Sequence, residues 1–425
     1  MKRFKLAGLF AGLLFSPAVY AAAAPEVNFD LGLDLPTFLE YAAGRDQQPA
    51  PRQDRAADTP VWISISNEDI KGLGQDFYFY GQDAAFQNKA TSVFQAKTSE
   101  LGLLSEAMHE KFHKCAGFFT HETLDSAKSD LQPAPVSASL AYTIDRQEQV
   151  SGMLKLADEK NLTNTITTFS AYKNRYYTSV TGADASKWLQ NYWKELAAGR
   201  DDISVAAFRH ASWAQESVIL TVQGTTEAQK IIVLGGHMDS IAGGGGNTVA
   251  PGADDNASGI AALTEAIRVL VASGYKPAKT LKFMAYAAEE VGLRGSQEIA
   301  AAFKREGKEV VGVVQFDMTN YNGSAEDIFL ITDHTNASQN AFLANLVKTY
   351  TDYRVGETKC GYACSDHASW TKNGYPASFP FESSFNDDNP YIHSAKDTIA
   401  QSGGHSKHAL KFAKLAIAYL VEMAK

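Results

Sequence analysis

A chain of 425 residues is too long for one small core and has room for an accessory segment beside one large domain. With 45% hydrophobic and 20% charged residues it has the composition of a packed globular protein, which excludes the disordered and fibrous classes. The formal charge of -9, with no basic run beyond the extreme N-terminus, argues against a nucleic-acid partner, because phosphate binding rests on clustered Lys and Arg.

The chain begins Met1-Lys2-Arg3-Phe4-Lys5, runs through an apolar stretch from Leu6 to Phe15, and continues with Pro17 and small residues through Ala24. This basic, apolar, small-residue order predicts a signal peptide over residues 1–22, and hence a secreted protein, periplasmic or extracellular. The apolar stretch falls far short of the ~20 residues that span a bilayer, and no later run is long enough, so no membrane association of the mature form is expected.

From residue 23 to about 140, Pro- and Gln-rich patches such as Gln47-Gln48-Pro49-Ala50-Pro51 mix with short apolar pieces such as Val61-Trp62-Ile63, without regular strand–helix alternation. A helix predicted from Leu101 carries His109-Glu110-Lys111-Phe112-His113, which fits the H-E-x-x-H zinc motif. The extended motif calls for a glycine and a third histidine where this chain has Ala116 and Phe119, so an ordinary helix face is the better reading. Gln132-Pro133-Ala134-Pro135-Val136-Ser137 reads as an exposed linker open to a protease, which puts a domain boundary at residue 140.

From Ala141 onward apolar runs alternate with helical patterns, the signature of an α/β fold built on a mainly parallel sheet flanked by helices. Ile231–Leu234, Leu281–Tyr286, Val310–Phe316 and Ile328–Ile331 are candidate central strands, nearly continuous in apolar character as buried strands are. Helices are predicted over Ser258–Ala272, Arg294–Phe303 and Lys407–Met423. Gly243 to Gly246 lack the Lys-Ser or Lys-Thr of a phosphate loop and read as a flexible surface turn. Cys360 and Cys364 could pair in an oxidising compartment, leaving Cys115 over. So short a loop contributes only about 2 kcal/mol by chain entropy, which means local shaping. The spacing is not C-x-x-C and no second pair exists, which argues against a redox or zinc–thiolate role.

In an open α/β sheet, ligands bind where the carboxyl ends of the strands bring distant residues together. The first run ends Gly235-Gly236-His237-Met238-Asp239, the second leads to Glu289-Glu290, the third ends at Asp317, and Asp254-Asp255 precede the helix after the first. With a later His393, the set His237, Asp255, Glu290 and Asp317 offers imidazole and carboxylate ligands without thiolate, which suits zinc. One bridging carboxylate and two terminal ligands on each of two ions would use all five and leave positions open for water and substrate, as a pair ~3.5–4 Å apart requires. Spacing alone does not choose between Asp254 and Asp255. Asp239 is a candidate acceptor orienting the His237 imidazole. Because Glu289 and Glu290 are adjacent, only one can face a metal squarely; Glu290 would bind it and Glu289 would carry the proton.

The segments Gly235 to Ser240, Ala250 to Gly259, Met284 to Ser296 and Cys360 to Trp370 resemble the bacterial leucyl aminopeptidases, secreted enzymes with two adjacent zinc ions. The resemblance covers roughly Ala141 to the C-terminus. A fainter likeness from Met108 to Phe119 falls in what is, in that family, a prosegment that assists folding and restrains activity. It implies a removable prosegment over residues 23–140, a catalytic domain over 141–425, and two zinc ions as cofactors. It also implies Asp255 as the bridge, Glu290 and His393 on one zinc, His237 and Asp317 on the other, Glu289 as general base, and Tyr362, between the paired cysteines, as a stabiliser of the tetrahedral intermediate. The implied pocket for the first side chain is Met318, Ile331, Phe379, Phe381, Phe385 and Ile392, suited to Leu, with Asp388 departing from the aromatic expected at its rim. The expected partners are peptides with a free N-terminus, the chain's own prosegment as inhibitor or folding aid, and a processing protease; a monomer is expected. The competing readings are a peptidase-like domain that binds without chemistry, and a zinc carboxypeptidase or glutaminyl cyclase of the same architecture.

Overall fold

The computed structural model describes residues 58–75, 77, 82–132 and 141–425. The expected signal peptide, and the linker beyond Gln132, lie outside them. Among the described residues no helix is long and apolar enough to cross a membrane.

The N-terminal residues form a small unit of their own: β1 (Pro60–Ser66), α1 (Asn67–Leu73), β2 (Phe86–Gln87), β3 (Thr91–Lys97), α2 (Leu101–Phe112), β4 (Phe118–His121) and α3 (Leu124–Asp130). Its strands make an antiparallel sheet in the order β2-β3-β1-β4. The alternation in Val61, Ile63 and Ile65 sets one face of β1 against Leu101, Leu104 and Met108, spaced along one side of α2. This core is not self-contained. Tyr176, Tyr177, Trp213, Ile241, Ala288 and Val291 of the larger body complete it.

The larger body runs α4 (Gln147–Leu154), α5 (Glu159–Phe169), α6 (Val180–Leu196), β5 (Ile203–Phe208), β6 (Ser217–Val222), β7 (Glu227–His237), α7 (Ala257–Ala272), β8 (Lys279–Tyr286), α8 (Arg294–Arg305) and β9 (Glu309–Gln315). It continues with β10 (Ile328–Ile331), α9 (Ala337–Tyr350), β11 (Val355–Thr358), α10 (His367–Lys372), β12 (Ala377–Ser378), β13 (Pro380–Phe381) and α11 (Lys407–Met423). The central sheet has the order β12-β9-β7-β8-β6-β5; β12, β9, β7 and β8 are parallel, and β6 and β5 run antiparallel to their neighbours. Along β7, Ile232 and Leu234 face the core of α7 and α11, while Ile231 and Val233 face Ile299, Phe303 and Trp370 on the other side. Both faces are covered, so the strand reads as an unbroken apolar run.

One expected central strand lies elsewhere. Ile328–Ile331 is β10 of a separate sheet, ordered β11-β10-β13, because its backbone pairs with Val355–Thr358 and Phe381. A doubly buried strand has the same composition in either sheet, so the sequence could not assign it.

Register fixes where the site forms. Gly235 of β7 stands opposite Met284 of β8 and Gln315 of β9, so the three strands end together, at His237, before Glu289 and before Asp317. At Gly236 a β-carbon would come within 2.7 Å of the Phe316 carbonyl oxygen, which is why the chain carries glycine where β7 and β9 converge.

The N-terminal unit docks on this same edge. The Thr120 amide donates to the Gly292 carbonyl at 3.1 Å and its hydroxyl donates to Val291 at 2.7 Å. Gly292, at φ 96°, has Thr120 so close that any side chain would collide. Glu122 pairs with Arg294 at 2.5 Å, and Asp130 with Lys372 at 2.6 Å. Burial works against the Asp130 charge, but the hydrogen bond to His121 and the Lys372 ammonium outweigh it and hold the carboxyl well below the usual range. A depressed carboxylate adds stability above its unfolded pKa of about 4 and loses it as pH falls below that. Asp130→Asn is therefore expected to weaken β1 at neutral pH by about 1.5–3 kcal/mol, read by amide hydrogen exchange within residues 60–66. The gap from the unmutated chain should shrink as pH drops below about 4; an equal gap at pH 3 and pH 7 would refute the pairing.

Candidate active site

Five side chains from five separate segments meet at the carboxyl edge of the central sheet. His237 ends β7, Asp255 stands just before α7, Glu290 lies in the loop after β8, Asp317 follows β9, and His393 comes from the loop before α11. His237 Nε2 is 3.0 Å from Asp255 Oδ1 and 3.2 Å from Asp317 Oδ1. His393 Nε2 is 3.3 Å from Asp255 Oδ2 and 2.8 Å from Glu290 Oε2. One oxygen of Asp255 thus serves each histidine, and the carboxylate sits between two ligand sets.

These side chains are buried, and close as they stand several of their atoms make no hydrogen bond of proper geometry: Asp255 Oδ2, both Glu290 oxygens and both His393 nitrogens. Buried polar atoms are costly unless paired, so a set of them converging from two residue types points to a cation. His237, Asp255 and Asp317 present ligand atoms all within 4.8 Å of one another, as do Cys115, Asp255 and His393. Burial pulls the His237 imidazole down, but the Asp317 and Glu289 carboxylates outweigh it and hold it well above its ordinary pKa. His393 is held up likewise, chiefly by Glu290, against burial.

The loops are locked by a surrounding layer of polar groups. Asp239 accepts from the backbone amides of Glu289 at 3.0 Å and Glu290 at 3.2 Å, while its carboxylate is 3.5 Å from His237 Nδ1. His237 Nδ1 also lies 3.2 Å from the Asp239 carbonyl, so Asp239 orients the Glu289–Glu290 turn as much as the imidazole. Ser365 donates to Asp317 Oδ2 at 2.6 Å. Asp397 accepts from the amides of Asp254 at 3.1 Å and Asp255 at 3.0 Å. Asp254 turns away from the centre, accepting from the Asn320 amide and the Asn389 side chain. Sequence reasoning did not single out Ser365, Asp366, Asn389 or Asp397. An acid in a mixed loop has no spacing signal; Asp397, four residues after His393, offered proximity alone.

Glu289 is buried with both carboxylate oxygens unpartnered. Burial raises its carboxyl well above the usual range, with His237 pulling the other way. Ala288, Met318 and His393 all have left-handed backbone, at φ 56°, 51° and 53°. Such non-glycine conformations cost about 1–2 kcal/mol each and persist where the surroundings impose them.

The six expected pocket residues come together: Met318, Ile331, Phe379, Phe381 and Ile392 form one apolar cluster, with Phe385, Tyr362 and Cys115 packed against it. Asp388 accepts from the Asn386 amide at 2.9 Å and shapes its own turn. Cys360 and Cys364 form a disulfide, and Asp333 accepts from the amides of Cys360 and Gly361, which holds the Tyr362 loop. The Tyr362 hydroxyl accepts from the Cys115 amide at 2.9 Å.

The H-E-x-x-H segment does not make a metal site of its own. Its two histidine rings stand 6.2 Å apart, and neither is in the groupings of candidate ligand atoms among the described residues. His109 instead stacks on His393 at 4.4 Å. Of the Gly243–Gly246 turn, expected as a flexible surface turn, Gly244 to Gly246 are half-buried and α2 lies against it; Gly102 of that helix leaves no room for a side chain against the Gly244 carbonyl. A cavity of about 210 Å³ remains along this seam, lined by Glu106, His109, Ile241, Ile392 and His393 among others.

The profile of peptidase family M28 matches residues 217–420, which include all five converging residues. A probable leucine aminopeptidase of Trichophyton verrucosum is 35% identical over 322 residues, covering 73% of this chain and 88% of that protein. Leucine aminopeptidase 1 of Arthroderma otae is 37% identical over 69% of this chain and 82% of its own length. Among solved structures, the LapA aminopeptidase of Legionella pneumophila superposes with a TM-score of 0.77 at 30% identity, covering 87% of this chain and 99% of that one. That coverage reaches beyond residues 141–425 into the N-terminal unit. Matched by this family's profile and 35% identical to a leucine aminopeptidase over 73% of its length, the chain belongs to peptidase family M28, among its aminopeptidases.

Proposed function

We propose that this chain is an exported two-zinc aminopeptidase that hydrolyses the first peptide bond of peptides beginning with Leu or a similar apolar residue, and that it is made with a removable N-terminal prosegment. The observation that carries the reading is Asp255, whose two oxygens face His237 with Asp317 on one side and His393 with Glu290 on the other. Imidazole and carboxylate donors in two sets around a shared carboxylate fit a zinc pair, and the unpartnered buried atoms supply its charge requirement. Export rests on the basic, apolar, small-residue order at the N-terminus and is in keeping with the Cys360–Cys364 disulfide.

When bound, zinc supplies Lewis acidity that polarises the scissile carbonyl and makes water acidic near neutral pH. Glu289 starts as the carboxylate, made more basic by burial; it would take the proton of the attacking water and deliver it to the leaving amine, ending as the carboxylate again. Tyr362, whose oxygen accepts from the Cys115 amide, would donate its hydroxyl hydrogen to the developing oxyanion once the Cys115 loop no longer covers it. Asp239 holds Glu289 and Glu290 at their amides, so proton carrier and ligand keep a fixed separation. The cluster of Met318, Ile331, Phe379, Phe381, Phe385 and Ile392 receives the first side chain. Residues 23–140 act as the prosegment; the reading is supported by their described part, which lies over the edge that carries the five candidate ligands and brings Cys115 and His109 to it.

Metal analysis of the purified chain is expected to give two zinc ions per molecule, and Asp255→Ala should bind neither tightly. A single retained ion of unchanged affinity would overturn the bridging assignment. Because carboxylates hold His237 and His393 protonated above their ordinary range without metal, protons compete with zinc, and zinc affinity should rise with pH through neutrality; equilibrium dialysis at several pH values reads this. Glu289→Gln should retain the metal but lower kcat on leucyl anilide by about 10²- to 10⁴-fold, and normal turnover in that variant would remove Glu289 from the reaction. N-acetylation of the substrate should abolish cleavage, since the free amine is part of recognition; efficient cleavage of the blocked peptide would point to a different zinc hydrolase. A form beginning near Ala141 should outpace the uncut chain, and equal rates would dismiss the inhibitory role.

A further inference from the structure

Cys115 is the one cysteine outside the disulfide. Its sulfur, an Asp255 carboxylate oxygen and a His393 nitrogen lie within 4.8 Å of one another. A cysteine near a site is no argument by itself. Here an independent observation accompanies it: Asp255 Oδ2, which belongs to the group the sulfur reaches, and both oxygens of Glu290, whose Oε2 lies 2.8 Å from His393 Nε2, are buried and make no hydrogen bond of proper geometry.

The loop between α2 and β4 is built to deliver this side chain. Helix α2 stops at His113, which is left-handed at φ 53°, and Ala116 follows at φ 47°, so the chain reverses sharply around Cys115. Left-handed non-glycine residues cost about 1–2 kcal/mol each, so surrounding contacts must hold the turn. They are present on every side. The Cys115 amide donates to Tyr362 at 2.9 Å, Lys114 pairs with Asp69 at 2.7 Å and lies 5.3 Å over the Tyr362 ring, and His109 stacks on His393.

We infer that the Cys115 thiolate is the fourth ligand of the ion held by Asp255, Glu290 and His393 in the uncut chain, and that this bond keeps the enzyme latent. The inference rests on the two-zinc reading above and sharpens the role of the prosegment from covering the site to ligating in it. Catalytic zinc keeps a position open, whereas four protein ligands make the closed tetrahedral arrangement of a structural site. Adding a thiolate to two carboxylates and an imidazole converts one into the other. On ligation the thiol proton goes to solvent; on release the sulfur takes a proton back, and the vacated position is open to water and substrate. The same loop donates an amide to the Tyr362 oxygen and packs on the apolar cluster, so one withdrawal uncovers ligand position, tyrosine hydroxyl and pocket together.

The uncut chain loaded with cobalt in place of zinc tests this directly. A near-ultraviolet thiolate-to-cobalt charge-transfer band is expected, and Cys115→Ser should lack it while binding the same two ions. Uncut Cys115→Ser should hydrolyse leucyl anilide at least tenfold faster than the uncut unmutated chain. Without any substitution, the single free thiol of the zinc-loaded chain should resist a disulfide reagent and react once a chelator is added. Absence of the band, together with a thiol equally reactive with and without chelator, overturns the ligation. If detaching residues up to 140 then still raises turnover, the covering role stands and only the sulfur bond is lost. If detachment raises nothing, the prosegment reading falls with it, and binding of fewer than two cobalt ions by both forms would discard the metal assignment itself.

Discussion

Nine carboxylates crowd into one desolvated region of this protein: Asp239, Asp254, Asp255, Glu289, Glu290, Asp317, Asp366, Glu382 and Asp397, each at most 5% exposed. Negative charge at this density cannot be buried unless protons, positive groups or metal ions neutralise it. The protein's own answer is incomplete. Arg175 is buried beneath the site but spends its guanidinium on the carbonyls of Phe169, Met238, Pro251 and Gly252. Without ions the acids divide: burial pushes Asp254 up to about 6 and Glu290 and Asp366 up to about 7, while Asp255, against burial, is held well below its usual range by His237 and His393. The histidines gain protons as well. A site that must take up charge from solution is what the rest of the fold is arranged around.

That arrangement works by dividing the acids into those that face the centre and those that hold backbone. Asp239 and Asp397 accept pairs of amides from the turns carrying Glu289–Glu290 and Asp254–Asp255, and Asn256 ties the start of α7 to the end of β9 through the Phe316 carbonyl. The Glu289–Glu290 and Asp254–Asp255 turns are therefore each clamped by an acid outside the converging set. The left-handed residues beside Glu289 and Asp317 and at His393 itself fit this picture, because strained backbone survives where hydrogen bonds leave no alternative.

The catalytic half of this organisation was written legibly in the sequence, and the reason is periodicity. β7, β8 and β9 are buried on both faces, so each is an apolar run that ends abruptly in His237, Glu289-Glu290 or Asp317, and helices α7, α8 and α11 match their predicted spans within a few residues. What lacked a pattern was lost. The four short strands of the N-terminal unit are broken by polar residues and matched to partners far along the chain, so Val61-Trp62-Ile63 read as an isolated piece. The choice of Asp255 over Asp254 depends on which carboxylate turns toward His237, a rotation that two adjacent aspartates do not encode. Cys115 has no signal at all in one dimension; its meaning comes from Asp255 and His393, more than a hundred positions away.

The shared core between the N-terminal unit and the larger body has a further bearing on behaviour in solution. Tyr176, Tyr177, Trp213, Ile241, Ala288 and Val291 are buried in a core that they share with residues of α2 and β1. Were the N-terminal residues to depart, this aromatic and aliphatic surface would open beside the Glu289–Gly292 turn and form a greasy shelf next to the reaction centre. Extended chains reaching that edge would then meet an apolar landing, and the body without its N-terminal unit would be the more adhesive form.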